Sequence, residues 1–142
     1  MRIDEVLAKV DKVKPNQYDD AIKIDWLSTL DGKIMEEVIK THELPVKKIE
    51  SINEDTGETE TIVIKIDTDF NGYDEYSMNT ELLIDGPYAD IYENYIYAMI
   101  DFANQETERY NNSMNMFNAR FKEFENYWNR KYLPNSRHLK LI

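Results

Sequence analysis

The chain has 142 residues, the usual size of one domain, and its 42% hydrophobic and 12% aromatic residues are enough to form a core. The absence of cysteine from the sequence excludes disulfide bonds, thiolate metal sites and cysteine nucleophiles. The formal net charge of −11 repels phosphate groups, so we expect no direct affinity for nucleic acid.

The N-terminal segment has no apolar signal core, and no apolar run approaches the roughly 18 residues that a membrane helix needs. We therefore expect a soluble chain that is synthesised in the cytoplasm and has no membrane partner. The sequence contains no internal repeat and no low-complexity tract. These features predict a single domain over residues 1–142.

Two helices are predicted in the first third of the chain. The first is Arg2–Val13, which ends before Pro15 because the residue preceding proline disfavours helical backbone. The second runs from about Asp19 to Thr41 and continues through Gly32, where it can bend, since the apolar spacing keeps its phase there. The predicted inner faces are Ile3, Val6, Leu7 and Val10 in the first helix, and Ile22, Trp26, Leu27, Leu30, Ile34 and Val38 in the second.

A β-hairpin is predicted at about residues 46–66. Val46–Ile52 and Glu60–Ile66 have strand-like composition, and the second is rich in β-branched residues. The residues Glu54–Gly57 between them have turn chemistry, with Gly57 able to adopt a positive φ. Because a two-stranded hairpin is marginally stable alone, we expect it to pack against the helices or against another subunit.

Two further helices are predicted after an irregular segment at residues 67–86. Pro87 begins the third helix in its first turn, where proline is favoured, and the fourth ends before Pro134. The asparagines of Arg109–Ser113 favour a turn between the two helices, and one continuous helix is the alternative, because the apolar positions stay in phase. The predicted core stripe of the last helix is Met114, Phe117, Phe121, Phe124 and Trp128. The fold class is therefore mainly α, a four-helix bundle with an inserted hairpin.

The stretch DTDFNGYDEYSM, residues 67–78, matches the first half of a calcium-binding loop. Asp67, Asp69 and Asn71 have the spacing of the first three ligands, and a glycine follows them. Met78 occupies position twelve, where the loop needs a bidentate glutamate, and a strand-like run stands where a helix should enter. We interpret the stretch as a polar turn and keep a calcium-binding module as an alternative.

No catalytic constellation is apparent in the sequence. His42 and His138 have no obvious shared carboxylate neighbour, and no glycine-rich phosphate loop or nucleophile motif occurs. We therefore expect no enzyme activity, no cofactor and no catalytic or metal-binding residue.

The charge distribution and three tyrosines indicate which residues could form protein interfaces. Residues 54–108 hold 15 acidic residues and one basic residue, whereas residues 120–142 hold six basic and two acidic ones. The short basic tail that begins near Arg130 is suited to an acidic partner. Three tyrosines fall off the predicted core stripes, and tyrosine is enriched at protein interfaces. The candidate interface residues are Tyr97, Tyr127, Tyr132, Arg130 and Lys131.

Three stretches resemble a family of small proteins from phages and prophages of Gram-positive bacteria. They are KPNQYDDAIKIDWLSTLDGKIMEEVIKTH, GYDE, and TELLIDGPYADIYENYIYAMIDFANQETERYNNSMNMFNARFKEFENYWNR. This family looks like the head–tail connector proteins, also called adaptor or head-completion proteins. The resemblance covers most of the chain, is weakest over the hairpin, and defines no functional site residues.

The resemblance implies a structural virion protein of the phage neck, made in the host bacterial cytoplasm. Such adaptors resemble helical bundles that assemble as a homo-oligomeric ring, often a dodecamer, beneath the portal protein. The ring extends the DNA channel and presents a surface for tail or stopper proteins. DNA passes through without specific binding, and an acidic lining meets that need by repulsion. Another component of the same gene module, a tail-completion or capsid-associated protein, is the alternative.

Overall fold

The fold is mainly helical, with a small antiparallel hairpin inserted after the second helix, as the sequence predicts. A computed structural model describes residues 1–43, 46–65 and 69–133. The elements are α1 (Ile3–Val13), α2 (Asp20–Ile34), a π-helical turn (Met35–Ile39), β1 (Val46–Ile52), β2 (Thr59–Lys65), a 3-10 turn (Gly86–Tyr88), α3 (Asp90–Ala103) and α4 (Thr107–Lys131). No helix within these ranges is both long enough and apolar enough to cross a membrane.

The core lies between the four helices, and α3 is the central one because it packs against α1, α2 and α4. The predicted inner face of α1 is confirmed, since all four of its apolar residues are buried. The largest apolar side chains that are fully buried in the core include Ile3, Leu27, Ile34, Ile91, Ile96 and Ile100. Apolar residues at helical spacing therefore supply most of the stabilisation of this fold.

The predicted inner face of α2 is wrong in part. Ile22 is 41% exposed, whereas Ile24 and the polar residues Lys23 and Asp31 are buried. Lys23 covers the core with its aliphatic stem while its Nζ lies 2.5 Å from Asp11 Oδ1 on α1. The helix does continue through Gly32 as predicted, and its last turn is π-helical.

The hairpin prediction is confirmed. β1 and β2 pair in antiparallel register with Ile49 opposite Ile62, and Gly57 in the turn has a φ of 69°. The second strand begins at Thr59, one residue earlier than predicted, and Ile66 lies outside the described residues.

The predicted helix–turn–helix arrangement of the last two helices is confirmed and the alternative of one continuous helix is wrong, but the turn does not lie at Arg109–Ser113. The turn lies at residues 104–106, where Gln105 has a φ of 59° and the Glu106 N–H donates to the Asp101 carbonyl oxygen at 3.0 Å. Arg109–Ser113 lies inside α4, where its two asparagines are exposed, so their weak helix propensity costs little against packing of the rest of the helix.

The irregular segment 69–85 is held to the helices by the buried carboxylate of Asp31. Its Oδ2 accepts hydrogen bonds from the Tyr73 hydroxyl at 2.5 Å and the Leu83 N–H at 3.2 Å. Its Oδ1 accepts one from the Tyr92 hydroxyl at 2.7 Å, and that hydroxyl accepts the Ile84 N–H at 2.8 Å. Burial raises the pKa of Asp31, although its hydrogen-bond donors act in the opposite direction.

A second buried carboxylate, Asp101, joins three helices. Lys14 Nζ, just beyond α1, lies 2.6 Å from Asp101 Oδ1, and the Ser113 hydroxyl on α4 donates to Oδ2 at 2.8 Å. The charge of this α3 residue is thus compensated by a cation and a donor, as a buried carboxylate requires.

We expect the protonation of Asp31 to be visible in the stability of the protein. Because its folded-state pKa is raised above the unfolded value, the stabilisation is complete at low pH and is lost as pH rises through the folded pKa. The stability of the wild-type chain relative to Asp31→Asn should therefore fall as pH rises from about 4. Urea unfolding at a series of pH values measures this difference, with Asp55→Asn as a control that removes an exposed carboxylate. A pH-independent difference for Asp31→Asn contradicts the expectation.

The positive φ of Gln105 predicts that glycine is preferred at this position. Gln105→Gly should raise the free energy of unfolding by about 0.5–1 kcal/mol, because glycine adopts left-handed backbone without a Cβ clash. The matched control is Asn111→Gly inside α4, which should lower it by a few tenths of a kcal/mol to about 1 kcal/mol. If both changes destabilise the protein equally in urea unfolding, the turn is not where the structure places it.

Candidate interaction surfaces

The C-terminal half of α4 and the 3-10 turn enclose an aromatic pocket of about 350 Å³. Five aromatic side chains line it: Tyr88, Phe124, Tyr127, Trp128 and Tyr132. Phe124 and Trp128 are four residues apart and so share one face of α4, and Tyr132 follows by the same spacing just after the helix ends. The pocket therefore results from helical spacing combined with the approach of the 3-10 turn.

The rings of the aromatic pocket support one another. The Tyr88 ring centroid lies 5.1 Å from that of Tyr127 and 6.1 Å from that of Phe124. The Trp128 and Tyr132 centroids are 4.4 Å apart. Distances of this size are typical of favourable aromatic pairs, so the pocket walls are held in place by their own contacts.

Lys131 adds a positive charge to the aromatic pocket. Its Nζ lies 5.5 Å from the Tyr127 ring centroid and 5.4 Å from that of Tyr132, within the range of cation–π contacts. The hydroxyl groups of Tyr127 first, and of Tyr132 next, raise the pKa of Lys131. Arg130 is exposed on the same turn of α4. The structure thus brings four of the five candidate interface residues to one end of α4.

Tyr97, the fifth candidate, lies elsewhere. It is partly buried on α3, packs against the core, and has Lys14 Nζ 5.6 Å from its ring centroid. Burial, and then the neighbouring carboxylate of Glu93, raise the pKa of Tyr97. Its role in an interface stays a prediction.

The spacing of Trp128 predicts a place in the core stripe. The structure shows that it packs partly against the core and also lines the aromatic pocket. Its indole Nε1–H is buried and has no hydrogen-bond partner among the described residues. A buried donor without an acceptor costs free energy. Sequence spacing alone did not reveal this, nor that Tyr88 faces Tyr127 and Phe124 across the pocket.

Arg120 fastens the 3-10 turn to α4 and so shapes the aromatic pocket. Its Nε lies 3.0 Å from Asp90 Oδ2, and its Nη2 donates to the Pro87 carbonyl oxygen at 2.6 Å. Nη1 also contacts the Glu123 carboxylate. The hydrogen bond with Asp90 and the surrounding carboxylates raise the pKa of Arg120.

The hairpin is the second candidate surface. β1 and β2 make their contacts mainly with each other, and the outer edge of each has no strand partner within the described ranges. Ile49, Ile52 and Ile62 are exposed, with Ile52 at 72%. Its acidic tip is defined by the exposed side chains Glu54, Asp55, Glu58 and Glu60.

The half-matched calcium loop is described from Asp69 onward, and Asp67 lies outside the described residues. Asp74 in this stretch accepts hydrogen bonds from the Tyr76 N–H at 2.9 Å and the Ser77 hydroxyl at 3.2 Å. Gly72 has a φ of 88°, and a Cβ there would lie 2.8 Å from Ser28 Oγ. In the described part of the chain, no three acidic or histidine side chains gather into a group that could hold a metal ion.

His42 is the one histidine among the described residues. His42 Nδ1 lies 2.7 Å from the Val38 carbonyl oxygen, and its Nε2 lies 2.5 Å from Asn129 Oδ1, so the ring links the end of the π-helical turn to α4. His138 lies outside the described residues.

A larger and more open hollow of about 550 Å³ lies beside the turn between α3 and α4. Phe102, which is 62% exposed, and Tyr110 are its aromatic lining residues, with their ring centroids 5.4 Å apart. Three of the other lining residues, Gln105, Thr107 and Asn111, are polar and exposed, and the buried Asp101 is already engaged by Lys14 and Ser113.

Comparisons with known proteins returned no match: no protein-family model, no curated protein and no solved structure is significantly similar to this chain.

The contacts of Arg120 predict a role in stability that lysine cannot replace. Arg120→Lys should lower the free energy of unfolding by about 1–2 kcal/mol, because one ammonium group cannot reach both Asp90 and the Pro87 carbonyl. Thermal or urea unfolding measures the loss, and Arg109→Lys, an exposed arginine on the same helix, is the control. Equal stability of the two variants would contradict the anchoring role.

Proposed function

We propose that this chain is a structural assembly protein of a phage, a head–tail connector that forms a ring beneath the portal protein. In this role it extends the DNA channel, presents a surface for tail or stopper proteins, and is located in the neck of the virion. The role needs no catalytic group and no cofactor. The resemblance of residues 14–42, 72–75 and 80–130 to connector-like proteins motivates the proposal.

The observation that carries the proposal is the hairpin. A two-stranded hairpin is marginally stable in water, and this one has little support from the helices. Its strand edges have no strand partner within the described ranges, and its Ile49, Ile52 and Ile62 are exposed. Such features promote aggregation in a protein that functions as a monomer. They are useful in a protein whose hairpin is covered by a neighbouring subunit or by the portal.

The charge distribution also supports a connector. Residues 54–108 carry 15 acidic residues and one basic residue, which favours passage of DNA without adhesion. The cationic end of α4, at Arg130 and Lys131, offers a separate surface for an acidic protein partner.

The proposal predicts that the exposed isoleucines of the hairpin are needed for assembly and not for folding. A triple variant, Ile49→Thr, Ile52→Thr and Ile62→Thr, keeps β-branched residues and should unfold at nearly the same urea concentration as the wild-type chain. It should lose self-association in sedimentation velocity and ring formation on portal complexes in electron microscopy.

The control for this experiment removes exposed apolar side chains elsewhere. Val13→Thr and Met116→Gln, at positions 69% and 59% exposed on α1 and α4, should leave association unchanged. A wild-type chain that stays monomeric at all concentrations and does not bind portal complexes would refute the proposed function. Binding to tail or capsid proteins instead of the portal would assign the chain to another part of the same module.

A further inference from the structure

We infer that the acidic tip of the hairpin of one copy docks into the aromatic pocket of a second copy of this chain. This inference rests on the self-assembly proposed above and specifies which surfaces meet. Charge, apolar character and the length of the hairpin each support it.

The charges of the two surfaces are complementary. The part of the hairpin from Ile49 to Ile64 contains five acidic residues and no basic residue, and the three lysines of the hairpin lie at its base. The aromatic pocket has Lys131 in its lining and Arg130 on the same turn of α4, and Arg130 has no ion-pair partner among the described residues. Complementary charges of this kind select the partner and accelerate association.

The apolar parts are complementary as well. Ile52, 72% exposed, stands next to the acidic tip and has no apolar cover. The aromatic pocket, with a volume of about 350 Å³, is large enough to take an aliphatic side chain between rings such as Tyr88 and Trp128. The aromatic rings and basic side chains of the pocket are of the residue types that are enriched at the centres of interfaces.

The length of the hairpin separates the tip from the pocket of its own chain. Seven residues of strand span about 23 Å. The base of the hairpin starts three residues after Glu43, whose N–H donates to the Leu133 carbonyl oxygen at 2.8 Å, next to Tyr132 of the pocket. The tip is therefore about one strand length from the base, a span that allows it to meet the pocket of a neighbouring copy. Repeated tip-to-pocket contacts are heterologous and can close into a ring.

Charge-reversal variants test the inference directly. Arg130→Glu with Lys131→Glu makes one variant, and Glu54→Lys with Asp55→Lys makes the other. Each should weaken self-association about tenfold in sedimentation equilibrium, which corresponds to about 1.4 kcal/mol. A mixture of the two should recover it, because each tip then meets a pocket of opposite charge. Lys122→Glu, an exposed cation on α4 outside the pocket lining, is the control and should have little effect.

Asp85 provides a test of opposite sign. It is exposed and is the one carboxylate among the described residues that line the pocket, so it repels the acidic tip. Asp85→Asn should therefore strengthen self-association a few-fold.

Cysteine cross-linking gives a geometric test, since the natural sequence contains no cysteine. An Ile52→Cys variant mixed with an Asp85→Cys variant should form the mixed disulfide in excess over either homodimer. Met116→Cys replaces Asp85→Cys in the control mixture and should not.

Different results would refute the tip-to-pocket docking and the connector role. If the wild-type chain associates while the charge variants, Asp85→Asn and the cysteine mixture have no effect, tip-to-pocket docking is wrong and the connector role stands. If the wild-type chain neither associates nor binds portal complexes, both are wrong.

Discussion

The packing of the irregular segment against the helices depends on the hydrogen bonds of the buried Asp31 carboxylate. It gathers hydrogen bonds from Tyr73, Leu83 and Tyr92, and thereby ties a segment without regular structure to α2 and α3. Burying a carboxylate is costly unless its oxygens are satisfied, so the network specifies one path for the segment. That path delivers the 3-10 turn to α4, where Arg120 secures it and the aromatic pocket forms.

The residues that form the core and the residues proposed for assembly lie in different parts of the molecule. The four helices bury the apolar residues, whereas the hairpin leaves Ile49, Ile52 and Ile62 in solvent and adds little to the core. The aromatic pocket belongs to the helical part. Its rings contact one another, but the Trp128 Nε1–H has no acceptor among the described residues. An exposed hairpin and a preformed pocket suit the association proposed above, since little ordering is needed on binding.

Several features of the site followed from sequence because they depend on local spacing. Tyr127, Tyr132 and Lys131 were identified as interface candidates from their position off the core stripe and their charge, and the structure places them together. Tyr97 has the same sequence character but packs against the core beside Lys14, since its surroundings come from a distant helix. The turn Glu54–Gly57 followed from the sequence for a similar local reason, because neighbours in sequence are neighbours in a hairpin.

The sequence by itself determined the helical class, the inner face of α1, the hairpin and its Gly57 turn, because these follow from periodicity and backbone preference within a few residues. Only the tertiary structure decided that α3 and α4 part at Gln105 instead of Arg109–Ser113, since packing overrode the weak helix propensity of the asparagines. It also decided that Asp31 and Lys23 are buried, because their partners Tyr92 and Asp11 lie far away in sequence or on another helix. The aromatic pocket belongs to the same class: its walls, Tyr88 and Trp128, come from separate elements that only folding brings together.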